Sequence, residues 1–486
     1  MSVQPRMFRL DPLDRGVLFG FTRRQVLVLA VAIVAFLAST ITRRHQLPTG
    51  ITAAVLVAGA VAPVGGVSLV DWVPIWAGWL TTRPRRWSRP LHLLTVGANP
   101  NWPPLPSWLA GLTLVTHPDE AWGGVQDVSV GALTVVHPIA GSGFTTRDAA
   151  GMGLGLDGWA QLYTSIAAAG EDVARVCWTD IARPVPLDGH ADWATHQPGH
   201  TTAAGVEYAA FVAGHTVMRH DQLVAVTLHT GSGRGGDRAR LGFERHAQLT
   251  SMVRETLAAG GVDTTGPAGV DEIAWLLRTG LDPASTPPAP HGTSAGCLVQ
   301  RLGLVPISTA GPMRVDVARD HVIVDAVWHR SWWVEQWPTR ELSADWFDPL
   351  LTTIPAGCRQ RLFTVIVEPQ PVDTATRELA RAAASHGGDR IAASEGRARW
   401  DPWKQQRADA VNAREREVQA GHTPLAYAAI ITVTADTAAG LEVAGRDFER
   451  LATRHKVQVR RLWGRMHLGL AASLPLGIGL SRLEPR

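Results

Sequence analysis

The sequence predicts an α+β protein: an N-terminal transmembrane helical hairpin followed by a cytoplasmic α/β region of two lobes. Three observations carry this. Two apolar runs without a charge, residues 26–41 and 47–70, stand between arginine clusters. Strand-like and helix-like segments then alternate to the C-terminus. A Pro/Ser/Thr/Gly-dense stretch with Pro287-Pro288 divides that region in two. The expected order is a tail over 1–21, the hairpin over 22–70 and an interfacial helix with connector over 71–107. A lobe over 108–280, a linker over 281–310 and a second lobe over 311–486 follow.

Each apolar run approaches the roughly 17–25 residues that a tilted spanning helix needs. The second is interrupted by Pro48, Gly50, Gly59, Pro63, Gly65 and Gly66. Arg6, Arg9, Arg15, Arg23 and Arg24 precede the first run, and Arg83, Arg85, Arg86 and Arg89 follow the second. The positive-inside bias then places both termini in the cytoplasm, at the plasma membrane. The paired runs and the basic stop read as anchors, not as a cleaved signal. Trp72, Trp76 and Trp79 fall on one helical face, and Arg83, Arg85 and Arg86 lie just beyond. These six residues are the expected membrane-interface set, with lipid headgroups as partner.

Composition narrows the rest. The chain has 486 residues, 45% hydrophobic, with a net charge of +3, so no broad nucleic-acid surface and no direct nucleic-acid contact is expected. Cys177, Cys297 and Cys358 are far apart and form no zinc or disulfide pattern.

Within the first lobe, strands are expected at 112–116, 132–139, 171–181 and 223–229, with a turn at Gly123-Gly124. Helices are expected at 157–169, 202–219, 237–259 and 270–278. A loop over 184–199 and the turn after it hold His190, His196 and His200. In the second lobe, strands are expected at 314–317 and 322–328 about a turn at Arg319-Asp320, then at 362–368, 426–434 and 457–463. Helices are expected at 343–353, 372–385, 404–420 and 438–454. Leu441, Phe448 and Leu451 give the last of these an apolar stripe that reads as core. The 404–420 helix is different. Arg407, Arg414, Glu415, Arg416 and Glu417 leave it little apolar face, so it is the candidate partner-docking surface.

Motifs for chemistry are incomplete. The only lysines, Lys404 and Lys456, lack the glycines and the Ser/Thr of a phosphate loop, so no nucleotide motor is expected. Gly231, Gly233 and Gly236 match a dinucleotide-type spacing between an expected strand and an expected helix, but Glu255 falls on that helix instead of at the end of a second strand. Gly153, Gly155 and Gly158 match the same spacing without a strand before them. Gly292-Thr293-Ser294-Ala295-Gly296 matches a nucleophile elbow without a preceding strand. The histidines of 190–200 have no carboxylate or cysteine to complete a metal set. No catalytic, cofactor or metal site, and no enzymatic activity, is expected.

Residues 15–20 (Arg-Gly-Val-Leu-Phe-Gly), the exit Asp71-Trp72-x-Pro74-x-Trp76, Trp337-Pro338, Val367-Glu368-Pro369, Arg414-Glu415-x-Glu417, Gly421-His422, Thr432-Val433-Thr434-Ala435 and the closing Ser473-Leu474-Pro475-Leu476-Gly477 resemble a family of actinobacterial membrane proteins. These are encoded in conjugative elements beside type IV secretion genes. The C-terminal part is also similar to the non-motor N-terminal region of the CagE/TrbE/VirB conjugation ATPases. The resemblance implies a membrane-anchored structural docking component of a conjugative DNA-transfer apparatus, with a secretion ATPase and other membrane subunits as partners. The E-type structural subunit of type VII secretion is a looser resemblance. A membrane-tethered enzyme using the Gly231 loop or Ser294 is the remaining alternative.

Overall fold

The computed structural model describes residues 23–42, 46–61, 63–64, 67–81, 86–88, 105–109, 111–140, 147–168, 172–213, 215–230, 236–285, 310–338, 342–343, 345–395, 402–421 and 423–483. The expected tail, most of the connector, most of the 281–310 linker, Arg83, Arg85, Ser294 and Cys297 lie outside them.

The N-terminal layer holds α1 (Arg23–Thr42), α2 (Gln46–Val61), the short strands β1 (Pro63–Val64) and β2 (Val67–Ser68), and α3 (Leu69–Thr81). Strand β3 (Arg86–Ser88) follows. The first lobe runs β4 (Leu112–Thr116), β5 (Gly123–Asp127), β6 (Ala132–Ala140), α4 (Ala149–Ala168), β7 (Val173–Pro186), α5 (Asp188–Thr195), α6 (Ala203–Val212), β8 (Thr216–His229), α7 (Gly236–Ala259), β9 (Asp263–Thr264) and α8 (Val270–Leu281). The second runs β10 (Arg314–Val317), β11 (Val322–Val324), β12 (Val327–Gln336), α9 (Asp348–Thr352), β13 (Gln360–Pro369), α10 (Val372–Ser394), α11 (Pro402–Gln419), β14 (Leu425–Ala435), α12 (Ala438–Arg454), β15 (Gln458–Arg461), α13 (Met466–Ala472) and α14 (Leu480–Leu483).

The expected transmembrane hairpin is corrected here. Among the described residues no helix is long and apolar enough to cross a membrane. α2 has 16 residues, about 24 Å at helical rise, against a hydrocarbon core of about 30 Å. α1 begins Arg23-Arg24-Gln25 and ends in Ser and Thr, which shortens its apolar part. Gln25 reaches across to donate to the Ala60 carbonyl at 2.8 Å. The topology argument built on spanning lapses with the spans.

The α+β expectation holds, but the two lobes form one sheet. Its strand path is β3-β10-β11-β12-β14-β13-β7-β8-β6-β5-β4, with β15 beside β12 and β9 beside β6. Every recorded pairing in it is antiparallel. The path read from each outer side towards the junction gives the same arrangement. β4-β5-β6-β8-β7 in the first lobe matches β10-β11-β12-β14-β13 in the second. Each lobe then adds a helix and a strand that returns to its third strand. That strand is β9 on β6 and β15 on β12. The lobes are therefore structural repeats, related by a pseudo-two-fold at the β7·β13 pair.

Alternation along the strands builds two cores. On one face, Leu362, Ile366, Ala428 and Ile430 pack under α8 and α13 with Trp275, Leu277 and Leu470. On the other, Trp332, Ile431 and Val433 pack under α12 through Ala444 and Phe448. Val176, Val224 and Val226 pack there under α4 and α7. Leu441 and Phe448 are buried, as their stripe indicates.

Several local expectations shift. Gly123-Gly124 begins β5 instead of forming a turn, because any Cβ at Gly124 would press on the Thr134 carbonyl of β6 at 2.7 Å. The strand expected at 322–328 breaks at Asp325, which takes φ 56°. Its carboxylate accepts from the Met313 and Arg314 amides at 2.8 and 2.9 Å, which holds this turn.

Candidate docking surfaces

The strand pairs next to the junction each lead into a helical hairpin. α5–α6 follows β7, and α10–α11 follows β13. Because β7 and β13 are antiparallel neighbours, the hairpins emerge at opposite ends of the sheet.

The α10–α11 hairpin carries the sequence-predicted set. It closes on its own small core of Leu379, Ala382 and Val411. Arg414 turns inward and donates from Nη2 to the Leu425 carbonyl at 2.9 Å. Burial lowers the pKa of its guanidinium. Glu415, Arg416 and Glu417 face outward. The backbone of Arg407 is helical, but its side chain lies outside the described residues. The structure therefore splits the set into a fastening residue, Arg414, and three open charges.

The α5–α6 hairpin corrects two expectations: Pro184, Pro186 and Gly199 make α5 read as loop, and the helix expected over 202–219 ends with α6 at Val212, where β8 takes over from Thr216. The hairpin sits on a two-stranded ribbon. β7 and β8 stay paired out to Pro186 and Thr216, beyond where β13 and β6 flank them. Thr202 caps α6 by accepting from the Gly205 amide at 3.1 Å. Trp193, Val206, Tyr208 and Phe211 are exposed by 45–63%. His190 stacks on Trp193 and shares a hydrogen bond of 2.8 Å with the Tyr208 hydroxyl. From Pro184 to Met218 the chain has Asp188, Asp192 and Glu207 but no Lys or Arg. The signal available in the sequence was this run of aromatic residues without basic ones.

At the second lobe's far side, α3 is clamped to the sheet. Arg319 lies over the rings of Trp72, Trp76 and Trp463 at 4.9, 5.1 and 5.3 Å. Trp72 is buried against Trp463, whereas Trp76 is 42% exposed. Gly464 allows close approach, since a Cβ there would stand 3.3 Å from Ile75 Cγ2 and 3.4 Å from Trp79 Cβ. Arg86 sits on β3 and pairs with Asp316 at 3.4 Å. The adjacent Asp320 receives His321 at 2.8 Å and Arg330 at 3.0 Å. The His321 hydrogen bond chiefly holds its pKa down to about 2.

The chemical motifs do not converge. Gly153, Gly155 and Gly158 lie within α4, and Gly158 meets Gly260, in the turn just after α7, so closely that a Cβ would lie 2.5 Å from its Cα. Only Gly158 of the three is tied to packing in this way; a Cβ on Gly153 would meet open space. Gly231 and Gly233 lie outside the described residues. Lys456 occupies the turn after α12 with φ 59°. His190 is on α5, His196 caps its C-terminus, and His200 follows in a turn. Among the described residues no group of His, Cys, Asp and Glu is placed to hold a metal ion. A scan against models of known protein families finds no match, and a search of curated proteins finds none either.

Proposed function

We propose that this protein is a structural docking component of a type IV secretion-like conjugative DNA-transfer apparatus, working at the inner face of the plasma membrane without motor activity. The observation that supports this best is the pair of unlike hairpins at opposite ends of one continuous sheet. One is apolar and acidic; the other is densely charged. Such a body holds two partners at a fixed separation. The resemblance of the chain's two ends to conjugation-element proteins supplies the class of partner, a secretion ATPase and other subunits.

Co-purification with the neighbouring conjugation ATPase tests the reading. Phe211→Glu and the pair Glu415→Arg/Arg416→Glu alter open side chains. Each is expected to leave the fold intact and to weaken one partner by about tenfold or more, as loss of a central aromatic anchor or of charge complementarity does. Unchanged recovery of the ATPase and of the other subunits with both variants would refute it.

A further inference from the structure

We propose that α1, α2 and α3 form a seat for an anionic lipid surface. The inference stands apart from the docking reading and holds whatever protein partners the sheet has. It requires no helix to cross the lipid.

The first observation is exposure. Leu27, Val34 and Phe36 of α1, Ile51 and Val55 of α2, and Val73 of α3 are open by 47–66%. Monomers rarely leave so many large apolar side chains together in water. The second is their distribution. At about 100° per residue, the open apolar positions of α1 from Leu27 to Leu37 spread over about 220° of its circumference. A helix that meets one protein partner needs a stripe of only about 100°. A fluid acyl layer covers the wider arc, because it wraps whatever surface enters it.

Charge selects the kind of lipid. Between Asp14 and Asp71 the sequence contains no Asp or Glu, but it holds Arg15, Arg23, Arg24, Arg43 and Arg44. Asp71 is itself engaged by the Ser68 hydroxyl at 2.8 Å. This segment carries a local excess of positive charge in a chain whose total is only +3. Arginines flanking an apolar surface are drawn to anionic headgroups. The seat is also fixed in orientation. Arg319 holds Trp72 and Trp76 of α3 to Trp463, so lipid contact would set the tilt of the whole sheet.

The test is flotation of the purified full chain, after detergent removal, with vesicles of phosphatidylcholine alone or mixed equally with phosphatidylglycerol. The wild type is expected to float with the mixed vesicles at least tenfold more than with phosphatidylcholine, and less as salt rises. The open-site variant Leu27→Glu/Val34→Glu/Val55→Glu is expected to remain at the bottom with an unchanged melting temperature. Brominated lipid is expected to quench tryptophan emission, and Trp76→Phe to reduce that quenching. Equal flotation of wild type and variant, or no preference for phosphatidylglycerol, would overturn the proposal. So would a lipid-free oligomer that the variant converts to monomer, since the face would then belong to a second copy.

Discussion

The hydroxyls of Thr134 and Thr227 share a hydrogen bond of 2.9 Å directly beneath Gly477. Ser331 and Thr432 form the matching pair at 2.8 Å in the second lobe. Ser473 joins Thr432 there at 2.9 Å. The C-terminal segment thus crosses the sheet from one repeat's hydroxyl pair to the other's. Arg175 and Glu368 fasten it at the junction. Arg175 donates to the Gly477 carbonyl, and Glu368 accepts from the Leu480 amide at 2.9 Å. A Cβ on Gly477 would overlap the Thr134 hydroxyl, and φ there is 64°. Gly477→Ala is therefore expected to destabilise the fold by about 2–3 kcal/mol, read as a lower denaturant midpoint. A midpoint equal to wild type would show that the segment can lift without cost.

Asp180 and Arg361 form a buried ion pair at 2.9 Å across β7 and β13. His220 also reaches Asp180 at 2.9 Å. Removing one charge leaves the other buried and unpaired. Asp180→Asn is expected to cost about 3–5 kcal/mol. Chemical unfolding checks this, and a loss below 1 kcal/mol would contradict it.

Arg414 and Arg416 are two residues apart but differ in role. Arg414→Ala removes the bond to Leu425 and is expected to lower stability by about 1–2 kcal/mol. Arg416→Ala is expected to stay within about 0.5 kcal/mol of wild type. Paired thermal melts decide it. Equal melting temperatures would place both on the open face.

His137, His329 and His467 are held down to about 4, and His246 to about 3, chiefly by burial. The unfolded chain takes up these protons first, near pH 6.5. Stability is therefore full above about pH 6.5 and falls as pH drops towards 4, at about 1.4 kcal/mol per unit for each such histidine. Urea midpoints between pH 7 and 4 measure the slope, and His246→Gln is expected to make it shallower. A slope unaffected by that change would show that His246 does not contribute.

Local periodicity by itself determined the elements whose side chains sort themselves. The Leu441, Phe448 and Leu451 stripe marks α12, and a short run of apolar and β-branched residues marks β14. Strand expectations meet β4, β6, β10, β13 and β15 within two residues, but they leave out β5, β9 and most of β12 and start β8 seven residues late. Periodicity gave no sign that the lobes repeat each other, because each repeat is defined by strand order, which any apolar alternation satisfies. α5 reads as loop because Pro184, Pro186 and Gly199 bracket it, while α6 is legible but expected to run on into β8. Gly124 read as a turn because the carbonyl that excludes a side chain there belongs to another strand. Among the expected interface residues, only packing separated buried Trp72 from open Trp76, since Arg319 and Trp463 arrive from far along the chain. The apolar runs of α1 and α2 were visible from composition. Their length as folded helices, and which side chains they leave open, were decided by where the chain turns and by the contacts with α3.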